Sequence, residues 1–418
     1  MSVEDSKPFW KKAFSNWSCC VKSNNEKLKL KYNKSRNGKY YLTIIPSISD
    51  MREKARRTVP RMFFDYVESG SWTEDTLRAN ITDLSGIKFR QRVAIDISKR
   101  STKMKMLDQV LPMPVALAPT GLAGMQTADG EIHAARAAEK FGVPFTLSTM
   151  SVCSIEEVKA RTERPFWFQL YVMRDRDFIH RLIDRAKGAN CSALMITLDL
   201  QLMGQRHRDV KNGLSVPPKM SFKNFMDLIR RPRWCFGMIK TKNKKFGNIV
   251  GHVKGVKDMS SLAEWTSKQF DPSLCWEDVL ALRKRWPGKL ILKGIMDEED
   301  AKAALNIGAD AIVISNHGGR QLDGAPSTVS ALPKILDAVQ GKCEIWVDGG
   351  IRTGQDILRL IALGAEGTLI GRAFLYGLGA EGEVGVTRVL EILHKELDLT
   401  MGLCGATDLS KVGKNILL

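Results

Sequence analysis

The sequence predicts an α/β fold: a (β/α)8 TIM barrel with an N-terminal helical cover and a long basic insertion after strand 4. Three observations carry this prediction. Short apolar runs recur, each followed by glycine or polar residues, at 114–119, 144–148, 166–171, 193–199, 290–295, 311–316, 344–349 and 367–372. Such runs suit parallel strands buried on both faces. Helical patterns such as GEIHAARAAEKFG (130–142) separate most of them, giving eight βα units. Finally, the strand starts are 21 to 33 residues apart, except for the step from 193 to 290. That gap marks an insertion at about 204–275, not a second domain.

In chain order, residues 1–46 are rich in Lys, Asn and Ser with little periodicity, and read as a basic, disordered extension. The barrel domain spans 47–418. Ser49 or Asp50 is the expected cap of a first helix that stops before Pro60. RMFFDYVESG (61–70) reads as a second helix ending at Gly70, and a third begins near Thr73-Glu74-Asp75. Alternation in FRQRVAID and KMKMLDQV, within 86–113, suggests minor strands that cover one end of the barrel.

Lys and Arg number 64 against 46 Asp and Glu, a formal net charge of +18. So strong a bias points to an anionic partner surface. Within 217–260 there are eleven Lys or Arg against two Asp, interleaved with Phe222, Phe225, Trp234, Phe236 and Met238, which read as exposed. This mixture suits a peripheral membrane contact, or a solvated lid packed on its own barrel. No nucleic-acid module accompanies the charge, so no nucleic acid is expected. The eight cysteines form no CxxC pair, which predicts reduced thiols of a cytosolic protein and no metal site. No apolar run is long enough to span a bilayer, and the N-terminus shows no signal core.

Chemistry is expected where the barrel strands end. The densest cluster is AIVISNHGGRQLD (311–323). There His317 can take a proton near neutral pH, Arg320 can grip a carboxylate, and the glycines allow close backbone approach. Other strand ends supply Thr120, Ser148, Gln169, Tyr171, Thr197, Asp199, Lys293, Asp348, Arg352 and Arg372. Asp199 can orient His317. A partly buried Lys293 needs an anionic partner. DGGIRTG (348–354) and IGRAF (370–374) follow strands 7 and 8, the usual phosphate site of such barrels. No strand–GxGxxG–helix fingerprint is present, so a nicotinamide dinucleotide site is not expected; a redox cofactor with an anionic reduced state beside Lys293 points instead to flavin mononucleotide (FMN).

From Ser47 onward the chain resembles the FMN-dependent L-2-hydroxy acid dehydrogenases and oxidases. SNHGGRQLD is the most specific match, and APTG (118–121), LST (147–149), FQLY (168–171), TLD (197–199), LKG (292–294), DGGIR (348–352) and IGR (370–372) follow in the family's order. The whole pattern looks most like the bacterial respiratory L-lactate dehydrogenases. The resemblance implies that His317 is the base and Asp199 its partner, with Tyr66, Tyr171, Arg206 and Arg320 binding the substrate. It implies FMN contacts from Pro119, Thr120, Gly121, Ser148, Gln169, Thr197, Lys293, Ser315, Asp348, Gly349, Gly350, Arg352, Gly371 and Arg372. Where the family commonly has Gly-Ala-Glu-Asp, this chain has Gly70-Ser71-Trp72-Thr73. The implied reaction is oxidation of a short L-2-hydroxy acid, foremost L-lactate to pyruvate, with electrons passed to a membrane quinone or cytochrome. An oxygen-using oxidase and a mandelate-type dehydrogenase are the alternatives. A homotetramer is expected, held peripherally on the cytoplasmic face of the inner membrane or otherwise cytoplasmic.

Overall fold

The computed structural model describes residues 32–34, 40–42, 44–214, 221–253, 265 and 269–418. Chain contacts divide the molecule into two units, 1–46 and 47–418. In the first, Tyr32–Lys34 pairs antiparallel with Tyr40–Leu42. The extension expected to lack order therefore contains a short ladder, and the rest of that expectation lies outside the described residues.

Each of the eight predicted runs holds a strand: β1 (Val115–Leu117), β2 (Thr146–Ser148), β3 (Trp167–Tyr171), β4 (Ala193–Thr197), β5 (Lys289–Ile295), β6 (Ala311–Ile314), β7 (Glu344–Asp348) and β8 (Gly367–Ile370). They form one parallel sheet, in the order β1-β8-β7-β6-β5-β4-β3-β2. A bridge from Leu117 to Phe145 closes the ring, with Leu117 N donating to the Pro144 carbonyl at 2.9 Å. This is the (β/α)8 barrel that the periodicity predicts.

Helices α1 (Ile48–Thr58), α2 (Arg61–Glu68) and α3 (Asp75–Gly86) precede the barrel. The first is capped by Ser47, whose hydroxyl accepts from Asp50 N at 3.2 Å. The expected Ser49 and Asp50 lie inside the helix instead, because Ser47 is the last extended residue before it. The outer helices are α4 (Gly130–Phe141), α5 (Ile155–Lys159) and α6 (Arg176–Gly188) after β1 to β3. The inserted α7 (His207–Lys211), α8 (Phe222–Ile229) and α9 (Pro232–Lys240) come next. They precede α10 (Trp276–Arg285), α11 (Glu298–Ile307), α12 (Thr328–Val339), α13 (Gly354–Ala362), α14 (Arg372–Glu381) and α15 (Glu383–Leu403).

The barrel interior is filled by buried apolar side chains. Trp167 and Trp346 stack across it with centroids 5.2 Å apart and planes 10° from parallel. A hairpin of Met104–Met106 and Gln109–Leu111 plugs the N-terminal end, burying Met106, Leu107 and Leu111 in the same cluster. Glu344 accepts from both Leu107 N and Trp346 Nε1 at 2.9 Å, tying plug to core. KMKMLDQV thus forms the predicted minor strands. FRQRVAID does not: Phe89 makes a single bridge to Leu417, and Val93 stands 77% exposed. Alternation there reflects a surface segment, with no partner strand among the described residues.

The insertion is anchored at several points. Trp234 Nε1 donates to the Met125 carbonyl at 2.9 Å, and its ring stacks on Phe63 at 5.4 Å. Phe246, Asn248 and Ile249 are buried. Asn248 bonds Ser148, Ser151 and Ile155, wedging the segment behind β2. Trp234 is therefore an inward anchor, not an exposed aromatic, and Met238 is half-buried. Phe222, Phe225 and Phe236 are exposed as predicted, joined by Met226, Ile229 and Ile239. Among the described residues no helix is long and apolar enough to cross a membrane.

Candidate active site

A cavity of about 680 Å³ opens at the C-terminal ends of the strands. Tyr66, Tyr171, Arg206, His317 and Arg320 line one side of the predicted set. Pro119, Thr120, Gly121, Lys293, Asp348, Gly349, Gly350, Arg352, Gly371 and Arg372 supply the rest. Ser148, Gln169, Thr197 and Ser315 are buried at the strand ends behind this lining. Asp199 lies behind His317.

The loop after β6 is bent sharply. His317, Gly318 and Gly319 all have positive φ, at 57°, 65° and 73°. For a histidine this backbone is uncommon, and it persists only where the surroundings enforce it. Ser315 Oγ does part of that by accepting from His317 N at 3.1 Å. At Gly319 a Cβ would sit 2.5 Å from Leu77 N, so only glycine fits. Ser71, in the tetrapeptide that departs from the family pattern, donates through N to the Gly319 carbonyl at 2.9 Å. The departure therefore supports the loop by backbone contact.

His317 Nδ1 is 2.8 Å from Asp199 Oδ1. With Nδ1 as donor, Nε2 is the nitrogen left to take a proton. Burial drives the Asp199 carboxyl upward, but the charges of His317 and Lys293 outweigh it and hold the group below the usual aspartate range. Gly294 makes room for this pair, since a Cβ there would lie 2.8 Å from Asp199 Cβ.

Arg320 reaches α2 through its Nη1, donating to the Tyr66 and Ser69 carbonyls at 2.6 and 2.9 Å. Its guanidinium also lies 4.7 Å from the Tyr66 ring centroid. The expected Arg320–Tyr66 association thus runs through backbone and ring. Burial, then the nearby Arg206, push the Arg320 guanidinium below its ordinary value. Arg206 itself is paired with Asp209 at 2.6 Å. Arg320 forms no ion pair among the described residues, so beside His317 it is a cation available to an incoming carboxylate. Burial and then the Asp199 charge push the Tyr171 phenol upward, keeping it a hydrogen-bond donor.

The other side of the cavity is cationic and incompletely satisfied. Lys293, 3% exposed, pairs with Asp348 at 3.1 Å and donates to Ser315 Oγ at 2.6 Å. Burial lowers its affinity for a proton, but Asp348 and then Asp199 more than offset this, and the net direction is upward. Ser148 Oγ donates to Gln169 Oε1 at 2.9 Å. Gln169 Nε2, Thr197 Oγ1 and Asp348 Oδ1 are buried without a hydrogen-bond partner. Buried polar atoms of this kind call for a ligand. Arg372 donates to the carbonyls of Val67, Gly318 and Ser69. Burial, then Arg320 and Arg352, push it down to about 9. Gly349 and Gly350 turn beside it with φ of 90° and 81°. Orphaned donors and acceptors at the strand ends, next to crowded guanidiniums, match a polar ring system that carries a phosphate.

Three supporting residues escaped the sequence reading. Gln321 Nε2 donates to the Asp199 and Leu202 carbonyls at 2.7 Å, fixing the segment that carries the aspartate. Asn80 exchanges hydrogen bonds with Asn316 and packs against Gly350. Asp209 holds Arg206 and Ser69. Gln321 lies in the flagged cluster and was recoverable. Asn80 and Asp209 sit on helices away from any strand end, where no sequence signal marks them. Among the described residues no group of His, Cys, Asp and Glu could hold a metal ion.

The family profile described as FMN-dependent dehydrogenase matches residues 55–418. L-lactate dehydrogenases of Actinobacillus pleuropneumoniae serotype 5b and Acinetobacter baumannii are each 45% identical over 376 residues, 90% of this chain and 98% of theirs. Among solved structures, a monotopic membrane protein, (S)-mandelate dehydrogenase, superposes with a TM-score of 0.85 at 34% identity, covering 90% of this chain and 99% of that one. Mandelate oxidase superposes with a TM-score of 0.76 at 35% identity, covering 90% and 98%. The profile covers most of the chain and the relatives match over nine-tenths of it, so the chain belongs to the FMN-dependent dehydrogenase family.

Proposed function

We propose that this enzyme oxidises L-lactate to pyruvate and passes the electrons to a quinone or cytochrome acceptor at a membrane surface. One observation carries the reading: the His317–Asp199 pair shares a cavity with Arg320, which has no ion-pair partner among the described residues. A 2-hydroxy acid offers what both need, a carboxylate for the guanidinium and a proton for the imidazole. The 45% identity to proteins named L-lactate dehydrogenase supports lactate as the acid.

FMN fits the residues present. Gln169, Thr197 and Ser148 would meet its ring edge, Lys293 the ring's electron-rich side, Asp348 the ribityl chain, and Gly350, Gly371, Arg352 and Arg372 its phosphate. When bound, it supplies the two-electron acceptor for the oxidation. Arg320 and Tyr66 hold the substrate carboxylate, Tyr171 and Arg206 the hydroxyl end, and His317 Nε2 receives the proton. Asp199 keeps the imidazole oriented and stabilises it once charged.

The membrane reading rests on α8 and α9. Phe222, Phe225, Met226 and Ile229 recur at helical spacing and are 36–81% exposed, and Phe236 and Ile239 extend the face. Peripheral attachment at the cytoplasmic face of the inner membrane and a homotetrameric assembly complete the proposal.

The deciding experiment is anaerobic flavin bleaching by L-lactate, glycolate and (S)-mandelate in parallel. Lactate should bleach fastest. Mandelate bleaching faster than lactate would favour the mandelate-type alternative. Peroxide formed in step with turnover would favour an oxidase. The membrane half is tested by replacing Phe222, Phe225 and Phe236 with Ser. Vesicle binding that survives this change unaltered would refute it. Deleting 217–260 outright is unsuitable, because Phe246, Asn248 and Ile249 are part of the barrel packing.

A further inference from the structure

A second cavity, of about 540 Å³, lies outside the barrel mouth between α1, α9 and the junction of α14 with α15. Five basic side chains border it: Arg57, Arg230, Arg231, Arg233 and Lys240. Asp129 and Glu381 border it too, and two of the cations are paired, Arg57 with Glu53 at 3.0 Å and Arg231 with Asp227 at 3.6 Å. Glu381 is matched by cations in turn, whereas Asp129, held by neutral donors, keeps its charge, and the lining stays net positive through Arg230, Arg233 and Lys240. Asp129 accepts from Thr241 Oγ1 and Asn243 Nδ2 at 2.6 and 2.8 Å. Glu381 lies between Lys54 at 2.6 Å and Arg388 at 3.1 Å. Arg230 and Arg233 form no ion pair among the described residues.

Asp129, Arg231 and Gly382 all border the cavity and are the N-cap residues of α4, α9 and α15. None makes a side-chain cap bond. The C-terminal ends of α1, α8, α9 and α14, at Thr58, Arg230, Thr241 and Gly382, border the same cavity, so the helix dipoles offset one another and the side chains decide its sign. Arg231 itself is committed, its Nη1 donating to the Arg57 carbonyl at 2.5 Å and its Nη2 to the Arg56 carbonyl at 3.2 Å, which leaves Arg230, Arg233 and Lys240 as the cations for a ligand.

The position identifies the anion's source. Arg233, Gly237 and Lys240 border the cavity from α9, and the same helix exposes Phe236 and Ile239 by 60% and 73%. A headgroup in the cavity would place its acyl chains beside this apolar face. We propose that the cavity is a seat for the phosphate of an anionic phospholipid, which fixes the enzyme's orientation on the bilayer. This rests on the membrane reading above, and adds to it a specific, saturable site.

The test uses full-length, FMN-loaded protein and two variants of equal charge change. One is Arg230→Gln with Arg233→Gln, at the seat. The other is Lys242→Gln with Lys244→Gln, on the same insertion but not bordering the cavity. Equal FMN content in all three forms checks folding. Binding is measured to phosphatidylcholine vesicles with and without phosphatidylglycerol, and by calorimetry to dihexanoyl phosphatidylglycerol below its micelle concentration. Expected is one-to-one calorimetric binding that the seat variant loses, with vesicle affinity about tenfold below the lysine variant. Equal weakening in the two variants would overturn the seat and leave only diffuse attraction. Inorganic phosphate binding as tightly as the short lipid, with vesicle binding unchanged in the seat variant, would overturn the lipid assignment. Absence of vesicle binding by the wild type would overturn the membrane reading itself, whatever the calorimetry gives.

Discussion

Asp199→Asn isolates the role of the buried carboxylate behind His317. The substitution keeps the size of the side chain and an oxygen that can accept from Nδ1, 2.8 Å away. It removes the negative charge that the imidazolium meets once it has taken the substrate proton. Charge centres about 4 Å apart at an effective dielectric near 20 interact by ~4 kcal/mol. Losing most of that in the transition state lowers kcat/KM by ~10²–10³-fold. The amide can also turn its NH2 toward Nδ1 and hold the ring in the wrong tautomer, which adds to the loss. The assay is anaerobic stopped-flow reduction of bound FMN by L-lactate, with flavin content confirming that the site is intact. A decrease of less than about threefold with full flavin content would refute the dyad argument. The same variant tests the pH linkage. The folded-state carboxyl lies below its ordinary value of 3.8, so the stability it contributes is present above that value and is lost as pH falls through the folded one. The wild type should therefore melt above Asp199→Asn near neutrality, and the gap should close below about pH 3.8.

Three other substitutions probe separate parts of the site. Lys293→Met leaves buried Asp348 without its cation and should cost ~3–5 kcal/mol in stability, with flavin lost on dialysis. An unchanged melting temperature would contradict the pairing. Gly319→Ala forces a Cβ to within 2.5 Å of Leu77 N at a φ of 73°, and chemical denaturation should show a loss of ~3 kcal/mol. Gly121→Ala meets only ordinary or slightly tight contacts, 3.3 Å to Met150 Cβ and 3.7 Å to the Tyr66 hydroxyl. It should fold normally yet raise KM for (S)-mandelate more than for L-lactate, because the added methyl takes space at the substrate end. Equal effects on the two acids would place Gly121 away from the acid's side chain.

The barrel was legible because parallel strands buried on both faces are predominantly apolar, with polar residues gathered toward their ends. The eight runs carry that mark, and even the weakest, the run at 144–148, holds Thr146–Ser148. The site was legible for a related reason. Residues at strand ends converge whatever their separation in sequence, so His317 and Asp199 were paired across 118 positions. Where residues act through their backbone or from a helix, reading failed. Arg320 holds Tyr66 by its carbonyl, which no side-chain pattern encodes. Asn80 and Asp209 reach the site from α3 and α7, where a polar residue looks like any solvated one. Trp234 was misjudged for a similar reason. A tryptophan among lysines looks exposed until the Met125 carbonyl and the Phe63 ring supply its partners.

Arg372 offers a test of why the rim is built with so many cations. Among the described residues it donates to backbone carbonyls alone, and burial, then its rim neighbours Arg320 and Arg352, push its guanidinium down to about 9. Folding without an anion there must bury mutually repelling charge, so the cluster destabilises the flavin-free protein. A phosphate reverses the sign of that interaction. FMN should therefore stabilise the fold by its binding energy, about 4 kcal/mol at a thousandfold excess over Kd. Riboflavin, which has the same ring without the phosphate, should stabilise it much less. Inorganic phosphate alone should recover part of the difference, and Arg352→Met should reduce the advantage of FMN over riboflavin. Thermal melts of flavin-free protein with each ligand measure all three effects. If riboflavin protects as well as FMN, the guanidiniums are not a phosphate seat, and their crowding needs another cause.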